Sequence, residues 1–271
     1  MIDKISVALI GAGSMGGALL RGWIGAGVID GAASAMFDPA PPDNIRDTAR
    51  AAGVAINPPI DARRYDALVI AVKPQAAAEN LAAYAALAAD AVAISVMAGK
   101  SVAAIAAALA GARRIVRAMP NLPAAVGEGA TALFAPATVD AEDRAAAERL
   151  LRAVGATIWV DSEDAIDLAT ALSGSGPAYF FLLAEALADA GAARGLSRRD
   201  AETLARATLQ GAGAVAKTDA RSLADLRQAV TSPGGTTQAA LGILDGEDAA
   251  LRRLVAEAVD AARRRARALT S

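Results

Sequence analysis

Three glycines near the start of the chain have the spacing of a phosphate-binding loop. Gly11, Gly13 and Gly16 stand in the string GAGSMG, directly after the apolar run ISVALI. In a strand–turn–helix unit the first glycine permits the tight turn, the second lets backbone approach a pyrophosphate, and the third allows close helix packing. Free N–H groups at the helix start, near Ser14 and Met15, attract the anion. The sequence therefore predicts dinucleotide binding here, ahead of a merely structural glycine turn.

An acidic residue follows this loop at the distance where a ribose would lie. Asp38 ends the second predicted strand, about 20 residues after the glycines, where a carboxylate can accept from a ribose 2′-hydroxyl and disfavours a 2′-phosphate. This position favours NADH over NADPH. The prolines of the following PAPP leave a second interpretation open, in which Asp38 is a solvated turn residue that points outward.

Two further loops lie at the carboxyl ends of predicted parallel strands, where open α/β sheets bind ligands. They read AVKPQ and AMPNLP. The residues that we expect to border the nicotinamide are Val72, Lys73, Pro74, Met119, Pro120 and Asn121. The alternative is that each proline only ends a strand or begins a helix.

A second glycine pair precedes a predicted helix in the C-terminal half. In TSPGGTTQ, Gly234 and Gly235 come before the helix, and Thr236 and Thr237 lie in its first turn. The free backbone N–H groups and the helix dipole predict an anion site that suits a carboxylate and needs no arginine. The alternative is an ordinary capped helix after a tight turn.

The order of predicted elements divides the chain into two parts. Between Ile5 and Asp161 short apolar runs alternate with alanine-rich helical patterns, which indicates βαβ units and a mostly parallel sheet. From Ser162 onward only helical patterns remain. We therefore predict an α/β fold with a Rossmann-like dinucleotide-binding domain at 1–161 and an all-helical domain at 162–271. The apolar helix faces of the second domain favour burial in an intimate homodimer, with a self-contained helical bundle as the alternative.

The predicted elements have definite positions. The strands are Ile5–Ile10, Ala35–Phe37, Val54–Ile56, Ala67–Val72, Ala91–Met97, Ile115–Ala118, Thr131–Phe134 and Thr157–Val160. The first-half helices after the glycine loop are Asp43–Ala52, Ala76–Ala89, Ser101–Ala110 and Ala141–Val154. The second-half helices are Asp164–Leu172, Pro177–Arg194, Arg198–Thr218, Ala224–Val230, Thr236–Leu244 and Asp248–Leu269.

Composition excludes several kinds of chemistry. Of 271 residues 55% are hydrophobic, and none is histidine or cysteine. Catalysis by Ser-His-Asp or Cys-His and metal sites built on sulfur or imidazole are therefore impossible, and we expect no metal. With 27 basic and 29 acidic residues and no long run of one sign, neither nucleic acid nor a membrane is an expected partner. The lack of cysteine fits a reducing cytoplasm, which is the expected location.

Six motifs in order resemble one enzyme family over nearly the whole chain. GAGSMG, AVKPQ, RAMPNLP, VGEGAT, SGSGPAYFF and SPGGTT are similar to those of pyrroline-5-carboxylate reductases. The resemblance implies reduction of 1-pyrroline-5-carboxylate to L-proline, the last step of proline biosynthesis, with NADPH or NADH as cofactor. It also implies that the helical domain is a dimerisation domain, in homodimers that often assemble into decamers.

The resemblance also assigns roles to residues. It places the pyrophosphate on Gly11 to Met15 and the nicotinamide at the two strand-end loops. It directs the Thr237 hydroxyl toward the ring nitrogen of the substrate as the catalytic group. The substrate-side residues that it implies are Ser175, Ser232, Gly234, Gly235, Thr236 and Thr237.

This chemistry needs no histidine, because a protonated cyclic imine is already electrophilic at carbon and the cofactor supplies the hydride. Lys73 is an alternative acid, although its charge could equally reach phosphate or solvent. Other functions stay open: reduction of another cyclic imine, a β-hydroxyacid dehydrogenase-like reaction, or a nucleotide sensor without turnover. The dehydrogenase would need a helical-domain lysine, and Lys217 is the only one.

Overall fold

The computed structural model describes residues 4–60, 63–75 and 81–269. Contacts along the chain define two compact units. The first comprises the described residues of Met1–Ser175 together with those of Ala262–Ser271, and the second is Gly176–Ala261. The domain boundary after Asp161 stays a prediction, because by contacts the helix that directly follows it belongs to the first unit.

An eight-stranded sheet forms the centre of the first unit. The strand order is β3-β2-β1-β4-β5-β6-β7-β8, and the only antiparallel pair among these strands is β6 with β7. The strands are β1 Val7–Ile10, β2 Ala35–Phe37, β3 Ala55–Ile56, β4 Ala67–Ile70, β5 Val92–Ser95, β6 Ile115–Met119, β7 Gly129–Phe134 and β8 Gly155–Trp159. All eight predicted strands and the mostly parallel sheet are confirmed. The chain order reverses between β1 and β4, which is where sheets of this kind bind ligands.

Two apolar cores cover the two faces of the sheet. Along β1, Val7 and Leu9 belong to one core, whereas Ala8 and Ile10 belong to the other. This alternation explains why the central strands are continuously apolar instead of alternating with polar residues. Trp23 is fully buried in the first core, and its indole N–H donates to the Leu150 carbonyl at 2.9 Å.

The helices of the first unit agree with the predictions except in three places. The α-helices are Ser14–Ala26, Asp43–Ala51, Val102–Ala108, Ala141–Arg152 and Glu163–Ala169. The helix predicted at Ala76–Ala89 is wrong in type where the structure describes it, since Leu81–Ala88 is a 3-10 helix and residues 76–80 lie outside the described residues. A second 3-10 helix, Leu122–Val126, was not predicted. Nor was the π-helical turn Thr170–Gly174.

The second unit consists of helices that bury little of their own surface. They are Gly176–Ala192, Arg198–Thr218, Leu223–Ala229, Thr236–Leu244 and the first part of Ala250–Leu269, which continues into the first unit. The buried residues that pack between the first two are Ala188, Ala201 and Ala205.

Large apolar side chains of this unit remain exposed instead, including Phe180 at 61%, Leu182 at 64% and Ile243 at 81%. The alternative of a self-contained helical bundle is therefore wrong for a single chain, because its large apolar residues find no core within the unit. No described helix is long and apolar enough to cross a membrane.

Candidate active site

The glycine loop connects β1 with helix Ser14–Ala26, and two of its glycines are required by packing. Gly11 has a φ of +89°, and a Cβ there would lie 2.8 Å from the Ala71 carbonyl oxygen. A Cβ on Gly16 would lie 2.0 Å from the Gly11 carbonyl oxygen. The predicted tight turn and close helix packing are therefore confirmed.

Gly13 differs from its two neighbours in the loop. A Cβ there would meet no described atom within 4 Å, so the backbone is open on that side. Gly13 is also the N-cap of helix Ser14–Ala26, and no side chain caps the helix start. Ser14 is exposed and Met15 is half-buried. The free N–H groups of this helix start and the open space beside Gly13 would allow a pyrophosphate to approach the backbone closely.

Asp38 at the end of β2 is turned toward this loop. Its Oδ2 accepts from the Ala12 N–H at 2.7 Å, and its Oδ1 accepts from the Ala40 N–H at 2.9 Å. The interpretation of Asp38 as an outward-pointing turn residue is therefore wrong, because the backbone of the glycine loop binds its carboxylate. Contact of this carboxylate with a ribose stays a prediction.

A cleft of about 410 Å³ opens beside Asp38. Its lining residues are Ile10, Gly11, Phe37, Asp38, Pro39, Asn57, Val72, Ala83 and Tyr84. The Phe37 and Tyr84 rings meet edge to face with centroids 5.3 Å apart. Burial, and after it the charge of Asp38, raise the pKa of the Tyr84 hydroxyl, so this group stays protonated and can donate. Apolar walls with a few polar groups suit the adenosine half of a dinucleotide.

Sequence reasoning missed Asn57, Phe37 and Tyr84 in this cleft. Asn57 follows β3 with a φ of +50°, a conformation that asparagine tolerates better than most residues. The one signal that could have found it is the string NPP directly after a strand. Tyr84 lies on the 3-10 helix and carries no recognisable motif.

The loop after β4 lies beside the glycine loop. The Ala71 N–H donates to the Ile10 carbonyl at 2.8 Å, and Val72 lines the same cleft as Gly11. Pro74 is half-buried, whereas Lys73 is exposed. The structure thus brings Val72 to the predicted cofactor site and leaves Lys73 at its surface.

The loop after β6 is held by the side chain of Asn121, which is 8% exposed. Its Nδ2 donates to the Ser173 carbonyl at 2.9 Å, and its Oδ1 accepts from the Ala130 N–H at 2.8 Å. Both ends of the amide therefore serve to position the loop, whereas a direct contact of Asn121 with a cofactor stays a prediction. Pro120 is buried, and Met119 is half-buried.

The SGSG motif begins in a π-helical turn and not in the predicted loop. The Ser175 N–H donates to the Thr170 carbonyl at 2.9 Å, five residues back. A Cβ on Gly174 would lie 3.2 Å from Met119 Cε. Met119, Asn121 and the residues leading to Ser175 are thereby brought together, and their roles at nicotinamide and substrate stay predictions. Single π-helical turns occur frequently at functional sites.

A buried ion pair network anchors the helix that precedes this turn. Arg117 on β6 is 2% exposed, and it binds Asp167 at 2.9 Å and Glu163 at 3.2 Å. Glu163 also accepts from the Val102 N–H at 2.9 Å. Fixed hydrogen-bond geometry of this kind orients helix Glu163–Ala169 and so sets where the π-helical turn begins.

The SPGGTT loop of the second unit leads to a helix start that no side chain caps. Gly235 is the N-cap of helix Thr236–Leu244. The Gly235 N–H donates to the Ser232 carbonyl at 3.0 Å, and Gly234 has a φ of +70°. A side-chain cap is therefore absent from this helix start, and binding of a carboxylate by the first-turn N–H groups stays a prediction.

A glutamine braces this loop from within the helix. Gln238 Oε1 accepts from the Gly234 N–H at 2.6 Å, a contact that the sequence did not predict. Thr237 is half-buried, whereas Ser232 and Thr236 are exposed. Of the two threonines, Thr237 is thus the more enclosed.

Comparison with known proteins identifies the family. The chain is 40% identical over 261 residues to the pyrroline-5-carboxylate reductase of Pseudomonas aeruginosa. The aligned region covers 96% of this chain and 94% of that relative. This chain belongs to the pyrroline-5-carboxylate reductase family. The resemblance predicted from the six motifs is confirmed.

Other pyrroline-5-carboxylate reductases agree in sequence and fold. The relative from Methanosarcina acetivorans is 35% identical, with 99% of both chains covered. The solved structure from Coxiella burnetii has a TM-score of 0.90 at 38% identity, covering 99% of this chain and 100% of that one. The Plasmodium falciparum structure, which has NADP bound, has a TM-score of 0.81 at 29% identity, with 100% of both chains covered.

Two family models match consecutive parts of the chain. The model described as NADP oxidoreductase, coenzyme F420-dependent, matches residues 6–99. The model for pyrroline-5-carboxylate reductase dimerisation matches residues 163–269. The second match and the exposed apolar residues of the helical unit together support oligomer formation.

Proposed function

We propose that this protein reduces 1-pyrroline-5-carboxylate to L-proline with NADPH or NADH. The observation that carries the proposal is the uncapped start of helix Thr236–Leu244, in a chain of the pyrroline-5-carboxylate reductase family. This helix start can bind a carboxylate through backbone N–H groups and the helix dipole. Thr237 beside it offers a hydroxyl to the rest of a small cyclic substrate.

The first unit fits the cofactor. The uncapped helix start at Gly13 accommodates the pyrophosphate, and Asp38 faces the ribose. The backbone of Val72, Lys73 and Pro74 and the braced loop Met119–Asn121 border the nicotinamide. When bound, the cofactor supplies a hydride to the imine carbon.

The second unit orients the substrate. The backbone N–H groups of Thr236 and Thr237, with the loop of Ser232, Gly234 and Gly235, hold the carboxylate and so fix which ring face receives the hydride. The Thr237 hydroxyl hydrogen-bonds the ring nitrogen and stabilises the amine that forms. A protonated imine that gains hydride becomes a neutral amine without a further proton. The chain therefore needs no general acid, in keeping with its lack of histidine.

The wider site and assembly follow from the same assignment. Ser175, at the end of the π-helical turn, shapes the substrate pocket. The helical unit pairs two copies into a homodimer, supported by its exposed Phe180 and Leu182, and such dimers assemble further into decamers. The reaction takes place in the cytoplasm, where reduced nicotinamide cofactors are available.

The test is loss of nicotinamide absorbance with purified protein and 1-pyrroline-5-carboxylate, with NADH and NADPH in parallel. We expect rapid oxidation with this substrate and little with the 1-pyrroline-2-carboxylate isomer. Equal rates with the isomer would indicate a different cyclic imine reductase. Cofactor binding with no oxidation by either imine would overturn the proposal and favour a nucleotide sensor.

A further inference from the structure

Asn57 forms a two-point contact with the backbone of Asp38. Its Oδ1 accepts from the Asp38 N–H at 2.9 Å, and its Nδ2 donates to the Asp38 carbonyl at 2.9 Å. The two residues are 19 positions apart, so this contact fixes the end of β2 against the end of β3. The main chain of Asp38 is thereby held from both sides of the residue.

The carboxylate of Asp38 is fixed as well, but it is not saturated. It accepts one bond from the Ala12 N–H and one from the Ala40 N–H. A carboxylate can accept about four hydrogen bonds. The lone pairs that remain suit the two hydroxyls of an unmodified ribose.

The charge around this carboxylate opposes a 2′-phosphate. Among the described residues that line the cleft, none is lysine or arginine. Arg46, in the helix that follows Asp38, forms an ion pair with Asp43, and Lys73 is exposed and does not line the cleft. A phosphate of up to two negative charges would therefore meet a fixed carboxylate without a facing cation.

We propose that Asn57 is a specificity-determining residue that holds Asp38 in place and thereby makes the cofactor cleft prefer NADH over NADPH. The inference rests on the proposed function in taking a nicotinamide dinucleotide as the ligand. Without Asn57, the end of β2 can shift and the carboxylate can turn away from a 2′-phosphate. Loss of Asn57 should thus weaken NADH binding and relieve the exclusion of NADPH.

The test measures the Kd of each cofactor by titration without substrate. For the unaltered protein we expect NADH to bind at least about tenfold more tightly than NADPH, the factor that about 1.4 kcal/mol gives. Asn57→Gly accepts the positive φ of this position, and we expect the preference to fall by about threefold to tenfold, as for lost hydrogen bonds. Asp38→Ser, which removes the carboxylate, should abolish the preference.

Asn44→Ala is the matched control, since Asn44 is exposed on the helix after β2 and should leave both Kd values unchanged. Thermal melting checks that each variant folds, and Asn57→Asp, which tolerates this φ and lacks the Nδ2 donor, replaces Asn57→Gly if the latter does not. Equal affinity or a preference for NADPH in the unaltered protein would overturn the inference. An unchanged preference in the folded Asn57 variant would overturn it too.

The Kd values separate this inference from the proposed function. A preference for NADH that depends on Asn57, in a protein that reduces neither imine, would support the inference and reject the function. Rapid reduction of 1-pyrroline-5-carboxylate by a protein that binds NADPH more tightly than NADH would support the function and reject the inference.

Discussion

The two units bury their apolar residues to very different extents. In the first unit many large apolar side chains, such as Trp23 and Leu19, are fully buried in the two cores, and the exposed ones, including Leu122, Ile158 and Leu172, lie outside those cores. In the second unit Phe180 is 61% exposed and Ile243 is 81% exposed. The nucleotide-binding unit thus completes its own cores, whereas the helical unit needs a partner surface. The helical unit is therefore the part of the chain whose large apolar residues most lack a core of their own.

The units also build their anion sites differently. Both sites are helix starts without a side-chain cap. In the first, Gly11 and Gly16 are packed against backbone, with added Cβ atoms at 2.8 and 2.0 Å from carbonyl oxygens. In the second, the Gln238 side chain holds Gly234. A Cβ on Gly235 would lie 2.5 Å from Ser232 Oγ, so both loops have a closely packed glycine, and the second is braced in addition by a side chain of the helix that follows it.

The largest expected effect is the loss of assembly on charging the exposed face of the helical unit. Phe180→Asp would bury a charge in the dimer interface that we propose for this face, which costs several kcal/mol, and we expect at least about a thousandfold weaker association. Light scattering after size-exclusion chromatography measures the mass. Thr203→Asp, at an exposed polar position, is the control and should stay dimeric. A fully dimeric Phe180→Asp protein would show that this face is not the interface.

The next effect concerns packing of the glycine loop. Gly16→Ala places a Cβ against the Gly11 carbonyl, and we expect a loss of about 3 kcal/mol in the free energy of unfolding, together with loss of cofactor binding. Gly25→Ala lies on the same helix with no described atom within 4 Å of its Cβ. It should be neutral or stabilising by up to about 1 kcal/mol. Denaturant unfolding compares the two, and equal stabilities would contradict the packing argument.

A smaller effect separates chemistry from binding in the substrate loop. Thr237→Ala removes the hydroxyl from the ring nitrogen, and we expect kcat to fall about tenfold to a hundredfold, or 1.4 to 2.7 kcal/mol. The Kd for NADH should not change. Thr237→Ser should recover most of the activity, and Thr236→Ala, which keeps its backbone N–H, should be nearly unaffected. Unaltered turnover in Thr237→Ala would remove this hydroxyl from the mechanism.

The smallest effect tests the attachment of the last helix to the first unit. Asp164 binds Arg263 at 2.5 Å and the Arg267 Nε at 2.7 Å. Hydrogen bonds from Arg267 and Arg263 lower the pKa of Asp164 below its ordinary value of 3.8. A lowered folded-state pKa contributes stability that is fully present above the unfolded pKa and is lost as the pH falls through the folded one.

Melting temperatures measured as a function of pH test whether the stability contributed by Asp164 is lost at low pH. Asp164→Asn should melt slightly below the unaltered protein near neutral pH, and the difference should shrink as the pH falls through the lowered folded-state pKa of Asp164 and the carboxylate becomes protonated. Asp161→Asn, at an exposed neighbouring position, should follow the unaltered protein throughout. A difference for Asp164→Asn that persists at low pH would show that the ion pairs are not its cause.

Local patterns predicted much of the first unit and the positions of both helix starts. The strands were readable because burial on both faces leaves continuous apolar runs, and the glycine loop because its three glycines have fixed spacing. Asn57 and the loop-positioning contacts of Asn121 could not be found this way. Their partners lie 19 and 52 residues away, so their roles exist only once distant segments meet.

The type of helix was also not predictable from the sequence. The alanine-rich pattern gave no sign that Leu81–Ala88 is a 3-10 helix. In the π-helical turn before Ser175, Gly174 packs against Met119 at the end of β6, a contact between segments that lie far apart in the sequence. The exposure of Phe180 could not be read either, because a helix that is apolar nearly all round looks the same whether its own chain or a second copy covers it.

The end of helix Ala250–Leu269 determines when the first unit can finish folding during translation. Arg267 contacts Asp164 across 103 positions, and Gly99 with its φ of +67° lies against Leu269. The nucleotide-binding unit therefore cannot reach its final form on the ribosome until all of Gly176–Ala261 has been translated. Until then the nascent chain exposes the uncovered surface around Gly99, and a chaperone that shields this region during synthesis would act before the last helix docks.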